Sequence, residues 1–123
     1  MPFQVEINKK EEGVFTVGLW GPLDTTTYTL FEKDLEPILV PSTKAIILNM
    51  HGVNYISSLG IGSIFKVRKF LKDNNGTLLL TDLQPQIQRV FETVKALPEA
   101  IFTSIEEADA YLNEIQRRGP RAP

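Results

Sequence analysis

Alternating apolar residues indicate strands in the first part of the chain. Phe3, Val5 and Ile7 are separated by polar residues, which is the spacing of a half-buried strand. Residues 14–20 form a second apolar segment, which a Gly-Pro pair ends. Together the two segments predict a hairpin whose first strand lies at the edge of a sheet.

Two later apolar segments are largely continuous rather than alternating. They cover residues 45–50 and 77–80, and both are rich in isoleucine or leucine. Such runs are typical of strands that are covered on both faces in an α/β layer structure. A further apolar pair at residues 101–102 predicts a minimal last strand.

Helical patterns lie between these strands. The order β-β-α-β-α-β-α-β-α predicts an α/β fold with a mainly parallel or mixed central sheet of about five strands and about four helices. We expect a single domain over residues 1–117 and a flexible tail over residues 118–123, which carry no apolar stripe. The four helical stripes are Tyr28, Phe31, Leu35 and Ile38; Gly60, Ile64, Val67 and Leu71; Ile87, Val90, Phe91 and Val94; and Ile105, Ala108, Leu112 and Ile115.

Composition excludes several classes of function. The chain has 123 residues, a net charge of −2 and a pI near 5.4, so nothing attracts it generally to nucleic acid or to anionic membranes. It has no cysteine, which removes disulfides and thiolate metal sites. No uninterrupted apolar segment approaches the ~20 residues that span a bilayer. We therefore expect a cytoplasmic protein.

The junction between the third strand and the second helix is the first place to look for function. Ser57 precedes the helical stripe and is the natural N-cap. At about 100° per residue, a helix that starts there turns Ser58 away from the buried stripe, towards the side that carries Gly62. This geometry predicts an accessible Ser58 hydroxyl. Gly60 lies on the buried stripe, where we expect close packing.

The residues at this junction carry a family resemblance. The segment Val53-Asn54-Tyr55-Ile56-Ser57-Ser58-Leu59-Gly60-Ile61-Gly62 resembles the signature of STAS domains, and Gly21-Pro22-Leu23-Asp24 is similar to the family's Gly-x-Leu-Asp turn. In the anti-sigma factor antagonists of this family, the serine at the place of Ser58 is phosphorylated by the partner anti-sigma factor. Ser57 stands where those antagonists usually have Asp. Asn49 stands where an acidic residue is common.

The resemblance implies an anti-sigma factor antagonist that is not an enzyme and has no cofactor or metal of its own. Its partner would be an anti-sigma factor serine kinase that uses ATP and magnesium. Phosphorylation at Ser58, with Ser57 as second choice, would then switch the antagonist off. The implied partner-binding residues are Asp24, Asn49, Ser57, Ser58, Gly62 and Phe65.

Other interpretations remain open at this point. Capping alone explains a serine at a helix start, and an aromatic residue such as Phe65 can pack on a neighbouring segment. STAS domains also serve as subunits of stressosome-like or lipid-transport complexes, where Ser58 would be structural. A small α/β enzyme is the third class. His51, the only histidine, lies near Ser58 in sequence, but no G-x-S-x-G motif accompanies the pair.

Overall fold

The computed structural model describes residues 2–96 and Glu114. Four strands and three α-helices lie within residues 2–96, and a single 3₁₀ turn, Glu36–Ile38, follows the first helix. The elements in chain order are β1 (Gln4–Glu11), β2 (Val14–Trp20), α1 (Tyr28–Leu35), β3 (Ala45–Gly52), α2 (Ser58–Asp73), β4 (Thr77–Thr81) and α3 (Pro85–Ala96).

The four strands form one mixed sheet in the order β1-β2-β3-β4. β1 pairs with β2 in antiparallel fashion, whereas β2 with β3 and β3 with β4 are parallel. The predicted hairpin is thereby confirmed, and β1 lies at the edge of the sheet that the described strands form. Each parallel pair is connected through a helix, as parallel neighbours require. The carboxyl ends of β2, β3 and β4 therefore meet at one edge of the sheet.

The core lies between one face of this sheet and the helices. Inward residues of the strands and the buried sides of α1, α2 and α3 form one apolar cluster. In α2 the predicted stripe is confirmed, because Gly60, Ile64, Val67 and Leu71 are all buried. The largest fully buried side chains are Phe31, Leu19, Leu23, Leu35, Ile46, Leu48, Met50, Ile56, Ile64, Leu71, Ile87 and Val17.

The opposite face of the sheet is open, and here the sequence prediction was wrong. Burial alternates along β3: Ile46 is fully buried, Ile47 is only half-buried and Asn49 is exposed. On β4, Leu79 is 50% exposed. The continuous apolar runs arise because Ile47 and Leu79 are direct partners across the two strands on the open face. Among residues 2–96, all three helices belong to the one core, and none forms a second layer on this face.

The first helix begins at the first residue of its predicted stripe, Tyr28, with Thr27 at the N-cap position. Several predicted segments at the end of the chain cannot be compared with the structure. The predicted strand at residues 101–102, most of the predicted fourth helix and the predicted tail are outside the described residues. Among residues 2–96, no helix combines the length and the apolarity that crossing a membrane requires.

The one-sided core predicts unequal costs for truncating two neighbouring isoleucines. Ile46→Ala removes a fully buried side chain and should lower the free energy of unfolding by about 2–5 kcal/mol. Ile47→Ala, on the open face of the same strand, should cost about 1 kcal/mol. Equilibrium unfolding in urea measures both. Equal losses would mean that the second face is also covered.

Candidate functional site

Two loops are joined at the carboxyl edge of the sheet. They follow β2 and β3, and three backbone hydrogen bonds connect them. Gly21 N donates to Gly52 O at 2.9 Å, Leu23 N donates to Tyr55 O at 3.0 Å, and Ser57 N donates to Leu23 O at 3.0 Å. Leu23 and Ile56 thereby form a parallel bridge beyond the ends of the strands. The start of α2 is thus fixed to the loop that leads into α1.

Gly60 makes this close approach possible. A Cβ placed on Gly60 would collide with the carbonyl oxygen of Leu23 and lie 3.0 Å from Leu23 Cγ and 3.1 Å from Ile56 Cγ1. Because a backbone carbonyl held by two paired loops cannot move aside cheaply, only glycine fits here. The packing role predicted for Gly60 is confirmed, and its cause is the Leu23 carbonyl.

Ser57 is the N-cap of α2, as its position in the sequence predicted. Its hydroxyl accepts a hydrogen bond from Gly60 N at 3.2 Å, and its backbone is extended, with φ −98° and ψ 174°. The residue is only 2% exposed. The Ser57 hydroxyl is therefore buried and already engaged in holding the first turn of the helix.

Ser58 is the first residue of α2 and lies on the side away from the helix's buried stripe. The residue as a whole is half-buried, but its hydroxyl oxygen has less than 1 Å² of accessible surface. The expectation of an accessible hydroxyl was therefore wrong. The helical angle predicts on which side of α2 a side chain lies. It does not predict whether another part of the chain covers that side.

Gly62 and Phe65 lie on the same side of α2 as Ser58. A Cβ on Gly62 would meet no atom within 4 Å, so this position is open. Phe65 is 39% exposed, and its ring packs edge-on against Phe91 of α3 with 6.4 Å between the ring centroids. One edge of the Phe65 ring thus belongs to the α2–α3 contact, while much of the side chain remains exposed on the Ser58 side.

Asp24 organises the turn that precedes α1. Its Oδ1 accepts hydrogen bonds from the backbone amides of Thr26 at 2.9 Å and Thr27 at 3.2 Å, and from both threonine hydroxyls. Burial raises the pKa of the Asp24 carboxyl, but these hydrogen bonds outweigh it and hold the pKa below its ordinary value. The folded state therefore favours the charged form. This contribution to stability is present at neutral pH and is lost as the pH falls through the lowered pKa.

The paired loops bring Asp24, Ser57 and Ser58 to one end of the molecule, because Leu23 is bonded to both Tyr55 and Ser57. Asn49 is not part of that group. Its side chain lies on the open face of the sheet, where Oδ1 accepts a hydrogen bond from His51 N at 2.8 Å. His51 is exposed on that face too, so the structure gives no support to a serine–histidine pair.

Sequence reasoning missed two glutamines that hold the end of β3 and the loop that follows it. Gln84 Nε2 donates to His51 O at 2.8 Å, and Gln86 Nε2 donates to Asn54 O at 3.0 Å. Both glutamines flank Pro85, the first residue of α3. The sequence does show two glutamines beside a proline at a helix start. Their hydrogen-bond partners are more than thirty positions away, so the sequence does not identify them.

Comparison with known proteins agrees with this geometry. The sequence model of the STAS domain matches residues 6–108, which is most of the chain. The chain belongs to the STAS family. The match includes both loops of the candidate site and confirms the resemblance inferred from residues 53–62.

Relatives of this STAS domain include anti-sigma factor antagonists. The anti-sigma-B factor antagonist of Staphylococcus aureus is 29% identical over 82 residues, which are 67% of this chain and 76% of the relative. Solved structures with the same fold include SpoIIAA, an anti-sigma factor antagonist from Bacillus. Its unphosphorylated and phosphorylated forms each give a TM-score of 0.63 at 18% identity, and each match covers 89% of this chain. The matches cover 98% of the unphosphorylated SpoIIAA chain and 99% of the phosphorylated one.

The same fold also occurs within a larger membrane protein. The murine anion transporter Slc26a9 gives a TM-score of 0.63 at 19% identity, and the match covers 86% of this chain and 18% of the transporter chain. At such low identity these structures show the fold alone. They establish that the described strands and helices have the STAS arrangement.

The different surroundings of two glycines in α2 predict opposite effects of the same substitution. Gly60→Ala should lower the free energy of unfolding by ~1–3 kcal/mol, because the new methyl group collides with the Leu23 carbonyl. Gly62→Ala should raise it by ~0.5–1 kcal/mol, because alanine favours the helix and meets no atom. Urea unfolding of the two variants measures the difference. A Gly60→Ala protein as stable as Gly62→Ala would contradict the packing described here.

Proposed function

We propose that this STAS domain is an anti-sigma factor antagonist. It binds an anti-sigma factor that is also a serine kinase, and phosphorylation of Ser58 by that kinase ends the interaction. The antagonist thereby controls transcription that depends on a sigma factor. It is the substrate and the competitor in this exchange, and the kinase provides the nucleotide and magnesium.

One observation carries the choice of residue. The Ser57 hydroxyl is buried and caps α2 by accepting a hydrogen bond from Gly60 N, which makes Ser57 an unsuitable acceptor. Ser58 lies one position further on, in the first turn of α2, where backbone N–H groups have no acceptor within the helix. It also shares its side of the helix with the open Gly62 position, which leaves room for a partner surface.

The physical chemistry of this position allows a phosphate. The kinase would transfer the γ-phosphoryl group of ATP to Ser58 Oγ, release ADP and take up the hydroxyl proton. A phosphoserine carries about −1.5 to −2 charges, which the positive end of a helix dipole stabilises. Phosphorylation therefore leaves α2 intact. Its effect falls on the partner surface, through bulk, through desolvation and, where that surface is acidic, through repulsion.

Burial of the Ser58 hydroxyl adds a requirement to this proposal. Less than 1 Å² of Oγ is accessible, so the kinase has to displace whatever covers it before transfer. The three hydrogen bonds between the loops keep the backbone of α2 in place while that happens. Phosphorylation of the free protein by an unrelated kinase should accordingly be slow.

The same burial favours a second candidate function. A hydroxyl that is covered in the folded domain is also what a purely structural serine would show. In that case the domain is a subunit of a stable assembly, such as a stressosome-like or lipid-transport complex, and Ser58 is never modified. The two functions differ in one observable, which is phosphate at Ser58.

A phosphorylation assay separates the two functions. The kinase is recovered from the source organism by affinity purification on this protein, identified by mass spectrometry, and incubated with it and Mg-ATP. We expect one phosphate at Ser58 in the wild type and none in Ser58→Ala, which should still bind. Ser57→Asp is the matched control, because aspartate keeps the N-cap, removes the neighbouring hydroxyl and has the residue usual in this family.

The outcome at each serine is informative. Phosphate at Ser58 in the Ser57→Asp protein supports the proposed switch. Phosphate at Ser57 in the wild type moves the switch by one residue. If a kinase with demonstrated activity on another substrate modifies neither serine, the structural-subunit function is the correct one.

A further inference from the structure

The open face of the sheet contains a shallow groove that the proposed function does not use. It has a volume of about 300 Å³ and lies on the face opposite the helices. Its floor and walls come from β1, β2 and β3 and from Asp82, the residue that follows β4. The polar and aromatic residues that line it are Glu6, Asn8, Thr16, Trp20, Asn49, His51 and Asp82.

Trp20 forms an aromatic platform in this groove. A Cβ on Gly18 would lie 2.7 Å from Trp20 Cη2, and a Cβ on Gly52 would lie 2.8 Å from Trp20 Cγ. The indole ring therefore lies across both glycines, and neither position tolerates a side chain while the ring stays there. The residue is 37% exposed, so the ring is held against the backbone from below and is open to solvent above.

Two carboxylates, Glu6 and Asp82, line the same groove as this platform. Glu6 pairs in register with Gly18, which the Trp20 ring covers, and Asp82 follows Thr81, the partner of Asn49. Asn8 Nδ2 donates to Glu6 Oε1 at 3.3 Å. The ion pairs formed within residues 2–96 involve neither Glu6 nor Asp82, and the groove lining contains no lysine or arginine.

An apolar pair of one half-buried and one exposed side chain continues the same face. Ile47 and Leu79 are partners across β3 and β4, two residues before Asn49 and Thr81, and Leu79 is 50% exposed. A small free cation would cover the groove and leave this pair in water. A protein surface would cover both.

From these observations we infer that the open face of the sheet binds an arginine side chain presented by a protein partner. A guanidinium group is planar, stacks on an aromatic face and pairs with carboxylates in a fork geometry. The groove provides these features together: the upper face of Trp20, the two carboxylates and the amide oxygens of the asparagines. The site is on the other side of the sheet from α2, so it does not depend on the proposed role of Ser58.

Tryptophan fluorescence tests the inference directly, because Trp20 is the only tryptophan in the chain. The probe is the tripeptide Gly-Arg-Gly, blocked at both ends, and the neutral control replaces arginine by citrulline. We expect a saturable change of Trp20 emission with the arginine peptide and none with the citrulline peptide. Equal responses to the two peptides would overturn the inference.

Charge variants locate the contacts. Glu6→Gln and Asp82→Asn should each weaken binding of the arginine peptide by roughly 1.4- to 5-fold, as for exposed ion pairs. Asparagine tolerates the left-handed backbone of position 82, where φ is 57°, so that variant should fold normally. Glu11→Gln is the matched control, since it removes one charge from the same strand outside the groove. An effect of Glu11→Gln as large as that of Glu6→Gln would contradict a specific site.

A second peptide tests whether the partner is a protein. A peptide that carries leucine two positions from the arginine should bind more tightly than the glycine peptide, and Leu79→Ser should remove the difference. If leucine adds nothing, the groove accepts a free cation and the docking of a protein surface is wrong. Thermal unfolding of each variant confirms that the fold is retained.

Discussion

The carbonyl oxygen of Leu23 is the contact on which the candidate site depends. It accepts a hydrogen bond from the backbone N–H of Ser57, and it lies where the Cβ atom of any side chain at position 60 would be. The loop before α1 and the loop before α2 are thus one unit rather than two independent connections. The position of Ser58 at the start of α2 follows from this unit. Its neighbour Ser57 donates its backbone N–H to Leu23 O, and its hydroxyl accepts a hydrogen bond from Gly60 N.

The sheet separates two surfaces with different physical characters. One face is covered by the helices, and its edge holds the paired loops with the two serines. The other face carries polar side chains, a half-exposed tryptophan and an apolar pair. A partner at either surface leaves the other one free. The proposed switch at the start of α2 and the inferred arginine site on the sheet therefore do not compete for one surface.

Local signals explain what could be predicted from the sequence. The N-cap at Ser57, the α2 stripe and the β1–β2 hairpin all depend on residues close together in the chain, and the structure confirms each of them. The open face of the sheet was missed because a continuous apolar run is compatible with cross-strand pairing as well as with burial on both faces. The burial of Ser58 Oγ and the position of Trp20 over Gly52 depend on contacts between distant segments, which no local pattern records.

Amide hydrogen exchange of the wild-type protein tests the paired loops most directly. The amides of Gly21, Leu23 and Ser57 belong to loops but donate to backbone carbonyls across them. If the two loops form one unit, these three amides should exchange about as slowly as the amides of β3 in the core of the sheet. Exchange as fast as that of the exposed residue Thr25 would show that the loops open independently, and the account of the α2 start would then be wrong.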